Sequence, residues 1–145
     1  MRKGADASPD GTMIRSAQEF LELRFSDDPA KYQRAAHDEA PLAVWRELIE
    51  SYPESRYWVA HNKTVPLEIL RALALDGDVR VRGMVALRRK IDEPTQELLA
   101  SDQDSGVRLS VARNKSATRR VLASMLTDEW DEIRNTARHR LDGVE

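Results

Sequence analysis

The 145-residue chain is 41% hydrophobic and 33% charged, with a net charge of −2 and no cysteine. That much apolar material argues for one folded domain rather than wholesale disorder, and the near-balanced charge supplies no global field for drawing in nucleic acid or acidic lipid. The missing thiols exclude disulfides, thiolate metal sites, iron–sulfur ligation and cysteine nucleophiles; with no signal-like segment and no long apolar run, the chain reads as cytoplasmic.

In chain order, residues 1–11 are polar, with Gly, Ser and Pro, and are expected to be a disordered tail. Residues 12–145 then read as a single repeat domain that opens on a capping helix within 12–28. Ser16 followed three residues later by Glu19 forms a capping box, and Phe20, Leu21 and Leu23 supply an apolar face. Five repeats are expected at about 29–52, 53–78, 79–104, 105–130 and 131–142.

The repeats rest on internal self-similarity. Ser55, Val81, Val107 and Ile133 are spaced 26 residues apart, and so are Arg56, Arg82, Arg108 and Arg134. Asp76, Asp102 and Asp128 keep the same step, as do Ala60, Ala86 and Ala112, and Leu73, Leu99 and Met125. An older copy precedes them: Pro29, Ala36 and His37 match Pro53, Ala60 and His61 at a step of 24. A period of this size indicates a solenoid. Within a unit the apolar spacing is helical. Leu67, Leu70, Leu73 and Ala74 share one face after Pro66; Leu98 and Leu99 follow Pro94; Val121, Leu122, Met125 and Leu126 repeat the pattern. A second, shorter stripe runs through Val81, Met84, Val85 and Ala86, and again through Val107, Val111 and Ala112. Asn62 and Asn114 follow second helices, where asparagine commonly takes the left-handed cap conformation. The last unit ends on the polar run Arg138, His139 and Arg140, which suits a solvent-facing end. The expected fold is therefore all-α, a right-handed α-solenoid of about five short helix–turn–helix repeats.

An Asp in the turn, then Val/Ile-Arg opening the second helix, resembles the ladder of HEAT repeats, related in style to armadillo-like α-α superhelices. The segments DGDVRVRGMVALRR and DQDSGVRLSVARN carry the likeness, which covers about three quarters of the chain. The resemblance implies Asp–Arg pairing within and between neighbouring units. The short units and the VARNK turn are also similar to the leucine-rich repeat variant family, whose second segment is 3-10; its iron–sulfur example uses a cysteine cluster that this chain lacks. No cofactor and no metal are expected. Fold and function are separable, so the resemblance speaks to architecture.

The Arg row would make a phosphate-tracking stripe, but each of Arg82, Arg108 and Arg134 has an Asp six residues earlier ready to pair. His37, His61, Leu87, Arg113 and His139 share one repeat position, and Tyr57, Gly83, Leu109 and Asn135 another. Rows that keep position but not chemistry fit a recognition surface, and equally fit plain solvent exposure. Trp58 reads as a core or interface residue, and Trp130, set among Asp128, Glu129, Asp131 and Glu132, as more exposed. His37, His61 and Asp38 lack a third ligand row for a metal, and Arg88-Arg89-Lys90 suits a helix C-terminus.

No nucleophile–base–orienter set emerges, so no enzyme is expected. The expected function is a non-catalytic protein-interaction scaffold or adaptor, in a sharper form a dedicated neutraliser of immunity type. Its partner-binding residues are expected to be Tyr57, Trp58, His61, Leu87, Arg88, Leu109, Arg113 and His139. The alternative is nucleic-acid binding in the style of HEAT-like DNA glycosylases. That alternative draws on residues 79–120, where ten Lys/Arg face five Asp/Glu, whereas residues 1–78 hold ten against fourteen. No membrane partner and no small-molecule substrate are expected.

Overall fold

A computed structural model describes residues 13–143, so the expected tail at 1–11 lies outside the described residues. These residues form ten α-helices and no strand: α1 (Ala17–Arg24), α2 (Pro29–His37), α3 (Leu42–Ser51), α4 (Arg56–His61), α5 (Leu67–Leu73), α6 (Val79–Ala86), α7 (Glu93–Ala100), α8 (Ser105–Arg113), α9 (Arg119–Ser124) and α10 (Asp131–Leu141). Short 3-10 turns precede α4 at Pro53–Ser55 and follow α9 at Met125–Thr127. No helix is long and apolar enough to cross a membrane among the described residues. Helices of 6 to 11 residues are marginal alone, so their stability comes from caps and from packing.

The caps are periodic. Asp28, Asp78 and Asp104 open α2, α6 and α8 by accepting the backbone N–H of Ala30, Arg80 and Val107 at 2.8–3.0 Å. Two residues before each of these, Ser26, Asp76 and Asp102 accept the N–H of the capping aspartate itself at 2.9–3.0 Å. Asp128 does the same for Trp130 at 2.9 Å. Ser16 caps α1 through the Glu19 N–H, while the Glu19 carboxylate reaches back to the N–H of Arg15. At the far end Gly143, with φ 79°, supplies the left-handed stop for α10.

The chain divides into two compact units, residues 1–69 and 70–145, the division falling inside α5. In the first, α1 packs on α2 and α3, α2 on α4, and α3 on α4. Its core holds Ile14, Phe20, Trp45, Leu48, Val59, Val65 and Ile69, with the Phe20 and Trp45 rings edge to face at 5.6 Å. Helix α1 is thus half of a helical pair as well as a cap. In the second unit, α6 packs on α7 and α8, α7 on α8 and α9, and α8 and α9 on α10. Val81, Val107 and Ile133 are buried at successive copies of one position, Val85, Val111 and Ala137 at a second, and Ala60, Ala86 and Ala112 at a third. The small alanines let second helices approach closely. Leu98 departs from its expected place on the apolar face and is 45% exposed, because Leu99 turns inward instead.

Two polar rows tie neighbouring copies together. Arg82 donates to the main-chain carbonyl of Asp76, six residues back, at 2.9 Å, and forks onto the carboxylate of Asp102, twenty residues ahead, at 2.7 and 3.2 Å. Arg108 repeats the arrangement with the Asp102 carbonyl at 2.9 Å and the Asp128 carboxylate at 2.8 and 3.3 Å. The expected partner six residues earlier therefore contributes its carbonyl, and the ion pair runs to the following copy. Arg134 keeps the Asp128 carbonyl, at 2.6 Å, and folds back onto Asp131.

The second row corrects the expectation for Asn62 and Asn114. Both are extended, with φ −61° and −67°, and not left-handed. Each is buried and staples the preceding copy: Asn62 Nδ2 donates to the carbonyls of Ala35 and Asp38, and Asn114 Nδ2 to those of Ala86 and Arg88, all at 2.8–3.0 Å. Arg140, one step further on, reaches Ala112 and Asn114 in the same way at 2.7 and 2.9 Å. Buried Gln96 adds another tie, bonding the Ile91 and Ser116 carbonyls and the Thr118 N–H.

Replacing Asn114 by Ala strands the buried Ala86 carbonyl, the part-buried Arg88 carbonyl and the Ser116 N–H it also serves; urea unfolding should show a loss of about 2–3 kcal/mol with unchanged helix content in the native baseline. Burial opposes ionisation of Asp102 and Asp128, but hydrogen bonds from Arg82 and Arg108, backbone N–H groups and the guanidinium charges outweigh it and hold both carboxyls below their ordinary value. Arg71, with Thr95, lowers Asp92 to about 2. Carboxyls depressed in the folded state stabilise it above their unfolded value of about 4 and lose that contribution as pH falls towards the folded value. The urea midpoint should accordingly drop between about pH 4 and pH 2, and Asp128→Asn should flatten that drop.

Candidate functional site

The C-terminal ends of the second helices present the same repeat positions to solvent in both units. In the first unit, Trp58, His61 and Lys63 line a cleft of about 610 Å³ together with Arg24, Phe25, Ser26, Tyr32, Gln33 and His37. In the second, Ser110, Arg113 and Lys115, each 52 residues further on, line a smaller cleft of about 210 Å³ with Leu87, Arg89 and Asn114. Between these lining positions the scaffold residues recur unchanged and buried: Val59 and Val111, Ala60 and Ala112, Asn62 and Asn114. A 26-residue period thus fixes the interior and varies the rim. Among the described residues, neither cleft has an Asp or Glu in its lining.

The larger cleft is built by α1, α2 and α4. The Arg24 guanidinium lies 3.5 Å from the centroid of the Trp58 ring, 5.7 Å from that of Tyr32 and 6.0 Å from that of Phe25. A cation over an indole face is held by the ring quadrupole, more strongly when partly dehydrated. Trp58 is fixed in turn by the Tyr57 ring at 4.8 Å and the His61 ring at 5.6 Å, both edge to face. Arg24 Nε is buried with no hydrogen-bond partner among the described residues. His37 donates its Nδ1 hydrogen to the Gln33 carbonyl at 2.9 Å, which aims the other ring nitrogen away from α2. The nearby Asp38 carboxylate is committed to Arg34 Nε at 2.6 Å. A third depression, about 620 Å³ between α6 and α7, exposes Leu75 and Leu98; Arg82 there is paired with Asp102, and Asp76 and Glu97 also line it.

Of the expected partner-binding residues, Trp58 and His61 meet in the larger cleft and Tyr57 buttresses Trp58 from α4. Leu87 and Arg113 meet in the smaller one. There Arg113 also bonds exposed Glu132 at 2.8 Å. Arg88 is half-buried at the repeat position that Asn114 and Arg140 use as staples; burial lowers its pKa, and its carbonyl accepts from Asn114. Leu109 is half-buried on α8, and His139 is exposed on α10; neither lines either cleft. Trp45 is core, and Trp130 is 53% exposed, as its acidic flanks indicated. Sequence reasoning missed Arg24, Phe25 and Tyr32, which have no repeated counterpart. It also missed Lys63 and Lys115, and gave Arg89 a helix-end role, although the three share the 26-residue step and were findable from it.

Comparison with protein-family models, with curated proteins and with solved structures finds no match to this chain.

Removing the Arg24 cation should leave the fold intact. Arg24→Met is expected to cost about 1 kcal/mol and to move the Trp58 indole N–H resonance while those of Trp45 and Trp130 stay in place.

Proposed function

We propose that the chain is a right-handed α-solenoid of about five short HEAT-like repeats and serves as a non-catalytic protein-interaction module. On this reading it grips one partner along the C-terminal edge of its second helices. The supporting observation is the rim described above. Positions 58, 61 and 63 carry Trp, His and Lys, positions 110, 113 and 115 carry Ser, Arg and Lys, and the scaffold residues between them are alike. An aromatic seated in a pocket beside cations has the composition of an interaction hot spot. The sharper version of this reading is a dedicated neutraliser of a single partner.

Charge weighs against nucleic acid as the primary partner. Residues 13–69, which hold the larger cleft, carry ten Asp/Glu against seven Lys/Arg. A polyanion approaching that unit meets net repulsion, whereas a folded partner or a short peptide samples only the local field. The basic excess at residues 79–120 remains the feature a nucleic-acid reading would use.

The test compares the full chain with Trp58→Ala, Arg113→Ala and a first-helix control, Glu47→Ala, all checked for native circular dichroism. A protein captured from the source cell by the wild type and by the control, but bound at least about 30-fold more weakly by Trp58→Ala, supports the reading. Salt-dependent retention of DNA in a shift assay, unaffected by Trp58→Ala and with no protein captured, contradicts it.

A further inference from the structure

We infer that the cleft between α1, α2 and α4 is a carboxylate-recognition site for an acidic peptide, with Arg24 as its anion-binding side chain and Trp58, Tyr32 and Phe25 as the platform for an apolar neighbour. The inference deepens the protein-interaction reading and rests on it.

Arg24 is the unusual residue. The other arginines of the first unit's helices have acceptors: Arg34 bonds Asp38 and pairs with Glu19, Arg46 pairs with Glu68, and Arg56 donates to the Ile49 carbonyl. Arg24 makes no hydrogen bond and no ion pair from its side chain to the described residues; it is held by aromatic rings alone. Stacking fixes the plane of a guanidinium without using its N–H groups, which point outward in that plane. A half-buried, oriented guanidinium with unspent donors is prepared for the two-pronged geometry that a carboxylate offers.

The surroundings select the ligand's sign and character. Among the described residues the lining adds Lys63, His37, His61 and the amide of Gln33 and no carboxylate, within a unit that is acidic overall. A cationic ligand is therefore disfavoured although the rings form a cage, since that cage already holds its own cation. The exposed Phe25 ring, 58% accessible, and the half-buried Tyr32 and Trp58 rings leave apolar surface beside the charge. An Asp or Glu next to an aromatic or aliphatic side chain satisfies both halves. A volume of about 610 Å³ accommodates a few side chains and not a folded domain, so the occupant is a short segment.

The experiment pans a random twelve-residue peptide library against the full-length protein. Enriched peptides are then measured against wild type, Arg24→Gln, Arg24→Lys and Arg113→Ala, each with its unfolding midpoint recorded. The inference expects enriched sequences with Asp or Glu beside an apolar residue and at least tenfold weaker binding when those acids are changed to amides. It also expects at least tenfold weaker binding to Arg24→Gln, an intermediate loss for Arg24→Lys, and a shift of the Trp58 indole N–H on peptide addition. Enrichment of neutral or basic sequences, undiminished binding by Arg24→Gln, or tighter binding of inorganic phosphate than of the acidic peptides overturns it. Peptides that ignore Arg24→Gln but are lost on Arg113→Ala would sink this cleft assignment and leave the interaction reading standing. A library that enriches nothing over an unrelated protein would count against both.

Discussion

The fold depends on one guanidinium doing two jobs. Arg108 closes its own turn through the Asp102 carbonyl and holds the next turn through the Asp128 carboxylate, and Arg82 does the same one copy earlier. The four side chains are 7–12% exposed. Taking such charges out of water is costly, and a buried pair repays that cost only when its geometry is good and its remaining donors are used. Here the fork meets both carboxylate oxygens and the spare N–H meets a carbonyl. The net gain in stability from such a pair is modest; its stronger effect is on register, because a helix pair displaced along its neighbour would leave both ions dry and unmatched.

That constraint explains why such short helices suffice. Helices this short bury their apolar faces against the helices they touch, and the Arg–Asp and Asn–carbonyl ties hold those contacts in place. The two rows are complementary. The arginine ties act at the start of the second helices, the asparagine ties at their ends, and buried valine and alanine fill the distance between. Around the asparagine at the end of the second helices, the side chains turned to the clefts rather than the core are Trp58, His61, Arg113 and Lys115.

Much of this was legible in the sequence because the structural rows repeat at a constant step, and a repeated row is a strong statement about position. The helical class and the buried alanine row followed from it, and the capping box at Ser16 was legible from its own three-residue spacing to Glu19. Direction was less legible. Asp102 lies six residues before Arg108 and twenty after Arg82, and spacing alone does not say which arginine owns its carboxylate. Asn114 was misassigned because local preference pointed to a left-handed cap, whereas its amide answers two carbonyls in the preceding copy. Leu98 and Leu99 are adjacent, so a small error in helical phase exchanged their faces. The Arg24 site was invisible: 34 residues separate Arg24 from Trp58, the first helix has no repeated counterpart at that position, and a cation over a ring leaves no pattern in a sequence.

The central claim is that the arginine charge is spent between copies and not within one. A pair of double-mutant cycles on urea-unfolding free energies measures this directly, one joining Arg108→Gln to Asp128→Asn and the other joining Arg108→Gln to Asp102→Asn. A coupling of at least about 1 kcal/mol for the first and clearly less for the second is the predicted result. Coupling concentrated in the second cycle would mean that each arginine serves only its own turn, and the register argument would fail.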